Sequence, residues 1–292
     1  MRLQEEVRLK TPAKIDLGLG IFFNHRIGTY GVSGIMQSVG IFDDVIVRKS
    51  AVPGFRIFCN DKELEKNKDG YIYNFVKCVL EKCEIKNGII IKLFRRIPNG
   101  IDLGEDGSDC VAILKGLIKL FGVGLSKYQI LKLCMTYGRD VIFNYTGGTM
   151  LVGHNNSFKQ LPAMPRSFIL IAETGFSFSS GDVLKKWREK KMRSYDKKSE
   201  ILTYAIKNHR LKSISRNLYN DLETIIYYLD PKIRAIRNLI LGNGALGVNL
   251  NGFGKCIFGF FGSFDKARKV GELLKSKFPE NKILITRTIN DK

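Results

Sequence analysis

The sequence predicts an α+β protein that folds into two domains. The chain has 292 residues, 44% of them hydrophobic, which is enough for two modest domains, each with its own core. Strand-like and helix-like spacings of apolar residues alternate along it, with no internal repeat. A polar stretch at 154–160, followed by Pro162 and Pro165, marks a change in composition. We therefore expect an N-terminal domain of residues 1–160 and a C-terminal domain of residues 161–292.

The spacing of apolar residues outlines the elements of the N-terminal half. A glycine-rich stretch at 24–34 and a charged stretch at 61–70 are interpreted as loops. Residues 138–143 lead into a hairpin-like segment with Gly147 and Gly148 at its turn. The remaining pattern predicts strands at 2–10, 11–23, 35–41, 45–48, 55–59 and 88–94, and helices at 71–83, 109–121 and 126–137.

The C-terminal half has the pattern of a compact α+β sandwich, in which strands pair beside flanking helices. Ser179 or Ser180 is a suitable cap for its first helix, and Pro231 fits the first turn of a later helix that ends at Gly242 and Gly244. The remaining pattern predicts strands at 168–172, 247–250, 256–261 and 283–286, and helices at 198–208, 218–229 and 263–277.

The chain is strongly basic, with 48 Lys and Arg residues against 28 Asp and Glu and a formal net charge of +20. Such a charge suggests polyanion binding, although a lysine-rich proteome or a phosphorylated substrate would produce the same composition. Eight Lys or Arg residues fall within 185–198, which also contains Trp187, the single tryptophan. A basic run with an aromatic can bind RNA, but a solvated helix face or a mobile flap is the commoner explanation. We therefore do not expect nucleic acid as a partner.

Several functional classes are disfavoured by composition. No apolar run approaches the roughly 18–20 residues that span a membrane, and the opening MRLQEEVRLK lacks the apolar segment of a secretory signal. The six cysteines show no CxxC spacing, and three histidines do not complete a zinc pattern with them. We expect reduced thiols, a cytoplasmic location and no membrane partner.

A glycine-containing loop separates a predicted strand from a predicted helix at 97–108. Gly100, Gly104 and Gly107 allow backbone N–H groups to approach an anion, and Ser108 is placed to cap the helix. A helix N-terminus adds free N–H groups and a positive dipole end, so this arrangement is typical of phosphate binding. The alternative is an ordinary turn before a helix.

Two acidic residues in this loop oppose phosphate binding. Glu105 and Asp106 stand where a triphosphate would lie. A like-charge pair about 4 Å apart costs on the order of 4 kcal/mol at an effective dielectric near 20. The loop is therefore either a modified phosphate cradle or one that no longer binds nucleotide.

Five segments, in order over nearly the whole chain, carry the motifs of one family. They are 11–19 (TPAKIDLGL), 97–112 (IPNGIDLGEDGSDCVA), 138–143 (GRDVIF), 220–223 (NDLE) and 244–261 (GALGVNLNGFGKCIFGFF). These segments resemble the PAKxNLxL opening, the Gly-rich phosphate loop, the GADVPFF and NDLE segments and the C-terminal glycine motif of the GHMP kinases. Within that family the sequence resembles the bacterial 4-diphosphocytidyl-2-C-methyl-D-erythritol kinases of the non-mevalonate isoprenoid pathway.

The resemblance implies a fold and a reaction. It implies an N-terminal ribosomal-protein-S5-like domain with the ATP loop, and a C-terminal ferredoxin-like sandwich. ATP and Mg²⁺ would be the cofactors, and the γ-phosphoryl group would pass to a hydroxyl of a cytidine-diphosphate-linked or other phosphorylated alcohol. The protein would be a monomer or a homodimer.

The resemblance also assigns roles to individual residues. Asp140 matches the general base, and Lys14 matches the lysine that assists it. Asp16, Tyr30 and Ser180 match positions that contact the acceptor. The phosphate-loop positions, where Ser108 would also help to hold Mg²⁺, are Pro98, Gly100, Leu103, Gly104, Gly107 and Ser108.

The phosphate loop departs from the family pattern. Asp102, Glu105 and Asp106 replace glycines, and Gly107 replaces the first of two serines. Glu105 or Asp106 could serve as a magnesium ligand, because carboxylates suit that ion. Lys255, an added basic residue in the C-terminal motif, would offset the acidic loop if the two meet.

The acceptor positions depart as well. Gly31 replaces the histidine of an aromatic–histidine pair that recognises cytosine, and Leu184 stands where an aromatic would cover the base. Apart from these, Asn251 and Phe253 replace serines in the C-terminal glycine motif. Losing a polar base contact weakens specificity. The alternative to a working kinase is therefore a substrate-shifted or inactive relative that binds ATP weakly or not at all.

Overall fold

The computed structural model describes residues 5–24, 28–153, 157–192 and 196–290. Contacts between Cα atoms divide the chain into two compact units. The first combines Met1–Ala13, Ile41–Pro98 and Gly104–Thr146, and the second combines Lys14–Gly40, Asn99–Leu103 and Gly147–Lys292. The two long strands β1 and β2 each contribute residues to both units. The division into domains at residue 160 stays a prediction.

In the first unit, β4 pairs antiparallel with β2 and parallel with β3, so that Ile91 lies opposite both Val47 and Ile57. These three side chains are buried, and Gly116 of α3 packs directly over Val47. A Cβ at Gly116 would lie 2.6 Å from a Val47 methyl group, so glycine permits this close approach. The unit contains the start of β1 (Glu6–Asn24) and the end of β2 (Thr29–Ser50). Its other elements are β3 (Phe55–Cys59), β4 (Gly88–Phe94), α1 (Lys62–Lys66), α2 (Tyr71–Lys82), α3 (Glu105–Phe121), α4 (Lys127–Thr136) and α5 (Arg139–Thr146).

The second unit contains a four-stranded antiparallel sheet in the order β11-β7-β10-β9. A buried aliphatic and aromatic core, which includes Ile236, Ile240, Leu170 and Phe261, lies beneath it. In the same unit β5 pairs with β2, and β8 pairs with β1 through Gly18. The elements are β5 (Thr149–Val152), β6 (Phe158–Gln160), β7 (Phe168–Glu173), α6 (Ser180–Glu189), α7 (Asp196–Lys207), α8 (Leu211–Arg216), β8 (Tyr219–Asn220), α9 (Glu223–Leu229), α10 (Pro231–Gly242), β9 (Gly247–Asn251), β10 (Cys256–Phe261), α11 (Phe264–Lys277) and β11 (Ile283–Arg287).

The α+β class is confirmed, and four element predictions are wrong. Residues 6–10 and 11–23, expected as two strands, form the single strand β1, because its middle is buried on both faces and leaves no place for a polar turn, while residues 2–4 lie outside the described ranges. Likewise 35–41 and 45–48 are parts of β2. The loop at 61–70 contains the helix α1, and the helix expected at 218–229 is the strand β8 followed by α9.

Two more predictions are corrected. The loop expected at 24–34 is strand from Thr29 onwards, in β2, while residues 25–27 lie outside the described ranges. The segment after Gly138 also differs from its prediction. Residues Arg139–Thr146 form the helix α5 and not a hairpin, and Gly147 and Gly148, both with positive φ, follow its end. Across the described ranges no helix is long and apolar enough to cross a membrane.

Candidate functional site

The helix α3 begins at Glu105, four residues earlier than predicted. Its N-cap is Gly104, which has a left-handed backbone (φ 77°) that glycine adopts without strain. Ser108, predicted as the cap, lies inside the helix, and its N–H donates to the Gly104 carbonyl at 2.9 Å. The capping prediction is therefore wrong, because a glycine turn starts the helix before the serine is reached. A 17-residue helix directs its first-turn N–H groups and positive dipole end towards this loop.

Ser108 joins α3 to β1. Its side chain is fully buried, its hydroxyl donates to the Pro12 carbonyl at 2.9 Å, and its Oγ lies 2.7 Å from the Thr11 hydroxyl. Thr11 also donates to the Ser108 carbonyl at 3.1 Å. These bonds fix the start of α3 in place, and the role of Ser108 as a metal ligand stays a prediction.

An arginine that sequence reasoning missed pairs with the acidic residues of α3. Arg95, which follows β4, bonds to Asp106 and donates through Nε to Asp109 at 2.8 Å, while Asp61 lies 3.8 Å away. Its side chain is only 5% exposed. Asp106 therefore does not face the phosphate loop with an unbalanced charge. The sequence did contain a signal for this pairing, because Arg95 is a basic residue between a predicted strand and an acidic loop.

Asp109 is the fully buried member of this cluster. Burial raises the pKa of its carboxyl to about 7, against the opposing charge of Arg95. Its Oδ1 accepts no hydrogen bond among the described residues. The ion pair with Arg95 is thus what compensates a carboxylate in a low-dielectric position.

The first unit also brings Asp140 next to the start of α3. Asp140 lies in the first turn of α5, and an ideal Cβ built on Gly107 would be 2.9 Å from the Asp140 Cβ. Only glycine at 107 allows the two helices to approach this closely. Asn144 holds the arrangement, because its amide donates to the carbonyls of Asp140 at 2.9 Å and Gly104 at 3.5 Å.

The Asp140 carboxylate is available for chemistry. Its side chain is 41% exposed, its Oδ1 is buried without a hydrogen-bond partner among the described residues, and the Arg139 Nε lies 3.7 Å from that oxygen. The first unit thus brings together Gly104, Gly107, Ser108 and Asp140.

In the second unit Lys14 and Asp16 form a buried ion pair. The Lys14 Nζ lies 2.9 Å from the Asp16 Oδ2, and both side chains are less than 5% exposed. The Lys14 N–H donates to the Leu103 carbonyl at 2.9 Å, and the Asp16 N–H donates to the Asn251 side-chain oxygen at 2.7 Å. The lysine and the phosphate-loop residue Leu103 are therefore neighbours.

Asp102 is hydrogen-bonded to the turn between β9 and β10. Its backbone is left-handed (φ 62°), which is uncommon for a residue with a side chain. Its Oδ2 accepts from the Phe253 N–H at 2.9 Å, and its carbonyl accepts from the Asn251 amide at 2.5 Å. Burial raises the pKa of Asp102, while Lys14 and the Phe253 N–H act against that rise. Three departures from the family pattern thus contact one another.

Lys255 does not offset the acidic loop through its ammonium group. That group donates to the Phe176 carbonyl at 2.7 Å and lies over the Phe176 ring. This outcome corrects the expectation for Lys255, since its stem runs from the turn before β10 towards a carbonyl that also needs a donor. Arg95 partners Asp106 instead, and Lys14 lies near Asp102.

Tyr30, one of the predicted acceptor residues, lies among aromatic side chains of the second unit. The Tyr30 ring is edge-on to Phe23 and Trp187, with centroids 5.2 and 5.5 Å away. A Cβ at Gly31 would lie 2.4 Å from the Phe22 ring, so that ring fills the space of the family's histidine.

The remaining predicted residues occupy loop and helix-start positions. Ser180 is the exposed first residue of α6, which Ser179 caps, and Leu184 packs on the core. Pro98 is half-buried in the first unit, and Gly100 is exposed in the second. Asp140 belongs to the first unit, and Lys14 to the second. In the part of the chain that the structure describes, no three His, Cys, Asp or Glu groups cluster as metal ligands would.

Comparison with known proteins agrees with this architecture. The GHMP kinases N terminal domain matches residues 70–152, and the GHMP kinases C terminal domain matches residues 202–280. The 4-diphosphocytidyl-2-C-methyl-D-erythritol kinase of Thermoanaerobacter pseudethanolicus is 28% identical over 94% of this chain and 94% of its own. That of Caldicellulosiruptor bescii is 29% identical, over 97% of this chain and 98% of its own.

Solved structures show the same fold at lower identity. A 4-(cytidine 5'-diphospho)-2C-methyl-D-erythritol kinase superposes with a TM-score of 0.81 at 23% identity, covering 97% of this chain and 99% of its own. The homoserine kinase of Cytophaga hutchinsonii superposes with a TM-score of 0.79 at 18% identity, covering 100% of this chain and 97% of its own. With both family domains matched in order, the chain belongs to the GHMP kinases, ATP-dependent enzymes that phosphorylate an alcohol.

Proposed function

We propose that this chain transfers the γ-phosphoryl group of ATP to the hydroxyl of a small phosphorylated alcohol. The observation that carries the proposal is the position of Asp140, which lies against Gly107 at the positive end of α3. The first acceptor to test is 4-(cytidine 5'-diphospho)-2-C-methyl-D-erythritol, because relatives with that named activity align along almost the whole chain.

Asp140 is assigned as the general base. A hydroxyl must lose its proton as it attacks phosphorus, and a carboxylate whose side chain is 41% exposed can accept that proton. The Arg139 Nε lies 3.7 Å from the Asp140 Oδ1, so a cation stands beside the proposed base. Lys14 is assigned as the accompanying cation, and the buried Asp16 holds its ammonium group in one position.

The start of α3 is assigned to the phosphates of ATP. Gly104 and Gly107 leave the backbone N–H groups of the first turn accessible, and Ser108 anchors that turn to β1. Pro98, Gly100 and Leu103 shape the loop that leads into it. Because Arg95 pairs with Asp106, the added acid does not cancel the helix's attraction for an anion.

Mg²⁺ is proposed as the accompanying metal. This ion commonly uses one or two protein carboxylates together with substrate phosphates and waters. Asp106, whose side chain is 48% exposed although it is paired, is the carboxylate best placed for this role, beside Glu105. The ion would supply positive charge to the phosphates when bound.

A kinase that phosphorylates a different acceptor substrate is the second candidate function. Tyr30 and Ser180 are assigned to the acceptor, but Phe22 fills the space at Gly31 where the resemblance implies a polar contact to cytosine. An acceptor without cytosine would lose less from that replacement. A relative that no longer binds ATP is the third, and it is favoured by the carboxylate of Asp102 in the loop.

The test is product formation by the parent and by Asp140→Asn, with Asp69→Asn as an exposed control of equal charge change. ADP release and ³¹P spectra are followed with ATP, Mg²⁺ and each acceptor. Asp140→Asn is expected to lower kcat by roughly 10²–10⁴-fold, with little change in ATP affinity, while Asp69→Asn behaves like the parent. Equal rates for Asp140→Asn and the parent would remove Asp140 from the mechanism.

A further inference from the structure

The turn that joins β9 to β10 has three of its carbonyl groups held by hydrogen bonds. The Asn251 carbonyl accepts from the Gly254 N–H at 2.9 Å, and the Gly252 carbonyl accepts from the Asn220 amide at 2.9 Å. The Gly254 carbonyl accepts from the Thr174 hydroxyl at 2.6 Å. With three carbonyls fixed in this way, the backbone of the turn is preorganised before any ligand is present.

The N–H groups of the same turn converge on one carboxylate. The Phe253 N–H donates to the Asp102 Oδ2 at 2.9 Å, and the Lys255 N–H also hydrogen-bonds to Asp102. The Lys14 ammonium group lies near enough to favour the charged form of Asp102. Backbone N–H groups of one turn that converge beside a cation form an anion-binding concavity, and here the N–H groups of Phe253 and Lys255 do so, while that of Gly254 donates within the turn.

The fit around this carboxylate is close. A Cβ at Gly252 would lie 2.8 Å from the Asp102 Oδ2, so glycine is what leaves room for it. Asp102 itself keeps a left-handed backbone, which a residue with a side chain adopts only where its surroundings hold it. The carboxylate is therefore a fixed part of the turn and not a solvated loop charge.

We propose that the turn at 251–255 is an anion site whose resident occupant is the carboxylate of Asp102, so that a phosphate or diphosphate group binds there only when Asp102 is displaced. The inference rests on the proposed function in one respect only: if the chain is a kinase, the phosphate group that binds at this turn belongs to ATP or to the acceptor. Asp102 acts as a built-in competitor, and the anion affinity of the parent is set by how readily it leaves.

The test measures binding of inorganic pyrophosphate, without metal or ATP, by calorimetry. Asp102→Gly removes the occupant and suits the left-handed backbone, so we expect it to bind pyrophosphate about tenfold tighter than the parent, since one like charge leaves the site. Asp102→Asn keeps the shape without the charge and is expected to show a smaller gain. Asp265→Asn, an exposed change of equal charge in α11, is the control and should match the parent.

Circular dichroism of each variant establishes folding first. If Asp102→Gly does not fold, Asp102→Asn tests the proposal instead, and the proposal requires that it bind pyrophosphate more tightly than the parent. Affinities equal to that of the parent in the folded Asp102 variants, or an equal gain in Asp265→Asn, overturn the proposal. Because the titration contains no ATP and no acceptor, a chain without kinase activity would still show the gain.

Discussion

Replacing Arg95 by methionine removes the cation that partners the buried Asp109 and the loop residue Asp106. The Arg95 side chain is 5% exposed and that of Asp109 is fully buried, so the pair lies in a low-dielectric environment. Removing one partner of a buried pair leaves an uncompensated charge and costs about 3–5 kcal/mol. Methionine keeps much of the arginine's apolar stem, so little of this loss comes from packing.

The chain offers a matched control one residue away. Arg96 pairs with Asp44 at 2.6 Å, but its side chain is 65% exposed. An exposed pair contributes about 0–1 kcal/mol, so Arg96→Met should change stability little. Urea unfolding of the parent and the two variants at about pH 8, above the Asp109 pKa of about 7, measures both changes.

The same variants test the role of Arg95 at the nucleotide. With Arg95 gone, Asp106 adds an unpaired negative charge at the start of α3, and ATP should bind more weakly to Arg95→Met than to Arg96→Met. Similar urea midpoints for the two variants would refute the claim that Arg95 compensates a buried charge. Similar ATP affinities would refute its effect on the phosphate loop.

Two further predictions concern Asp109 and Gly107. Burial raises the Asp109 pKa from its ordinary 3.8 to about 7, so the folded state holds an extra proton between those values. The parent should therefore lose stability as pH rises through that window, and Asp109→Asn should remove this part of the loss, as urea midpoints at about pH 5 and pH 8 would show. An identical pH dependence in the variant would contradict the assignment. In Gly107→Ala the new methyl group meets Asp140, so α5 must shift; this shift should cost about 1–3 kcal/mol of stability and lower kcat. The control is Gly124→Ala, because a methyl group at Gly124 enters open space. A Gly107→Ala enzyme as active as this control would show that α3 and α5 are not closely packed at Gly107.

The regular elements were the most predictable part of the fold. The strands β3 and β4 and the helix α2 match their predictions to within one residue, because their apolar spacing is regular and they end at polar residues. The helix α5 was missed because glycines on both sides of it are strong turn signals. Here packing against Gly107 of α3 outweighs local preference.

The side-chain pairing of the site was less predictable. Asp102 was recognised as a departure, but its partners Asn251 and Phe253 lie 149 and 151 residues along the chain. Arg95 was missed for a related reason, since the sequence offered Lys255 as an equally basic candidate. The direction of each basic side chain decides which carboxylate it pairs with. The spacing of apolar residues along the sequence does not contain that information.

Titration of ATP into the purified protein, with and without Mg²⁺, tests the central claim most directly. A GHMP kinase whose acidic loop is compensated by Arg95 should bind ATP with micromolar affinity, and Mg²⁺ should strengthen that binding. No binding at millimolar ATP under either condition would contradict the account and leave Asp140 and Lys14 without a phosphoryl donor.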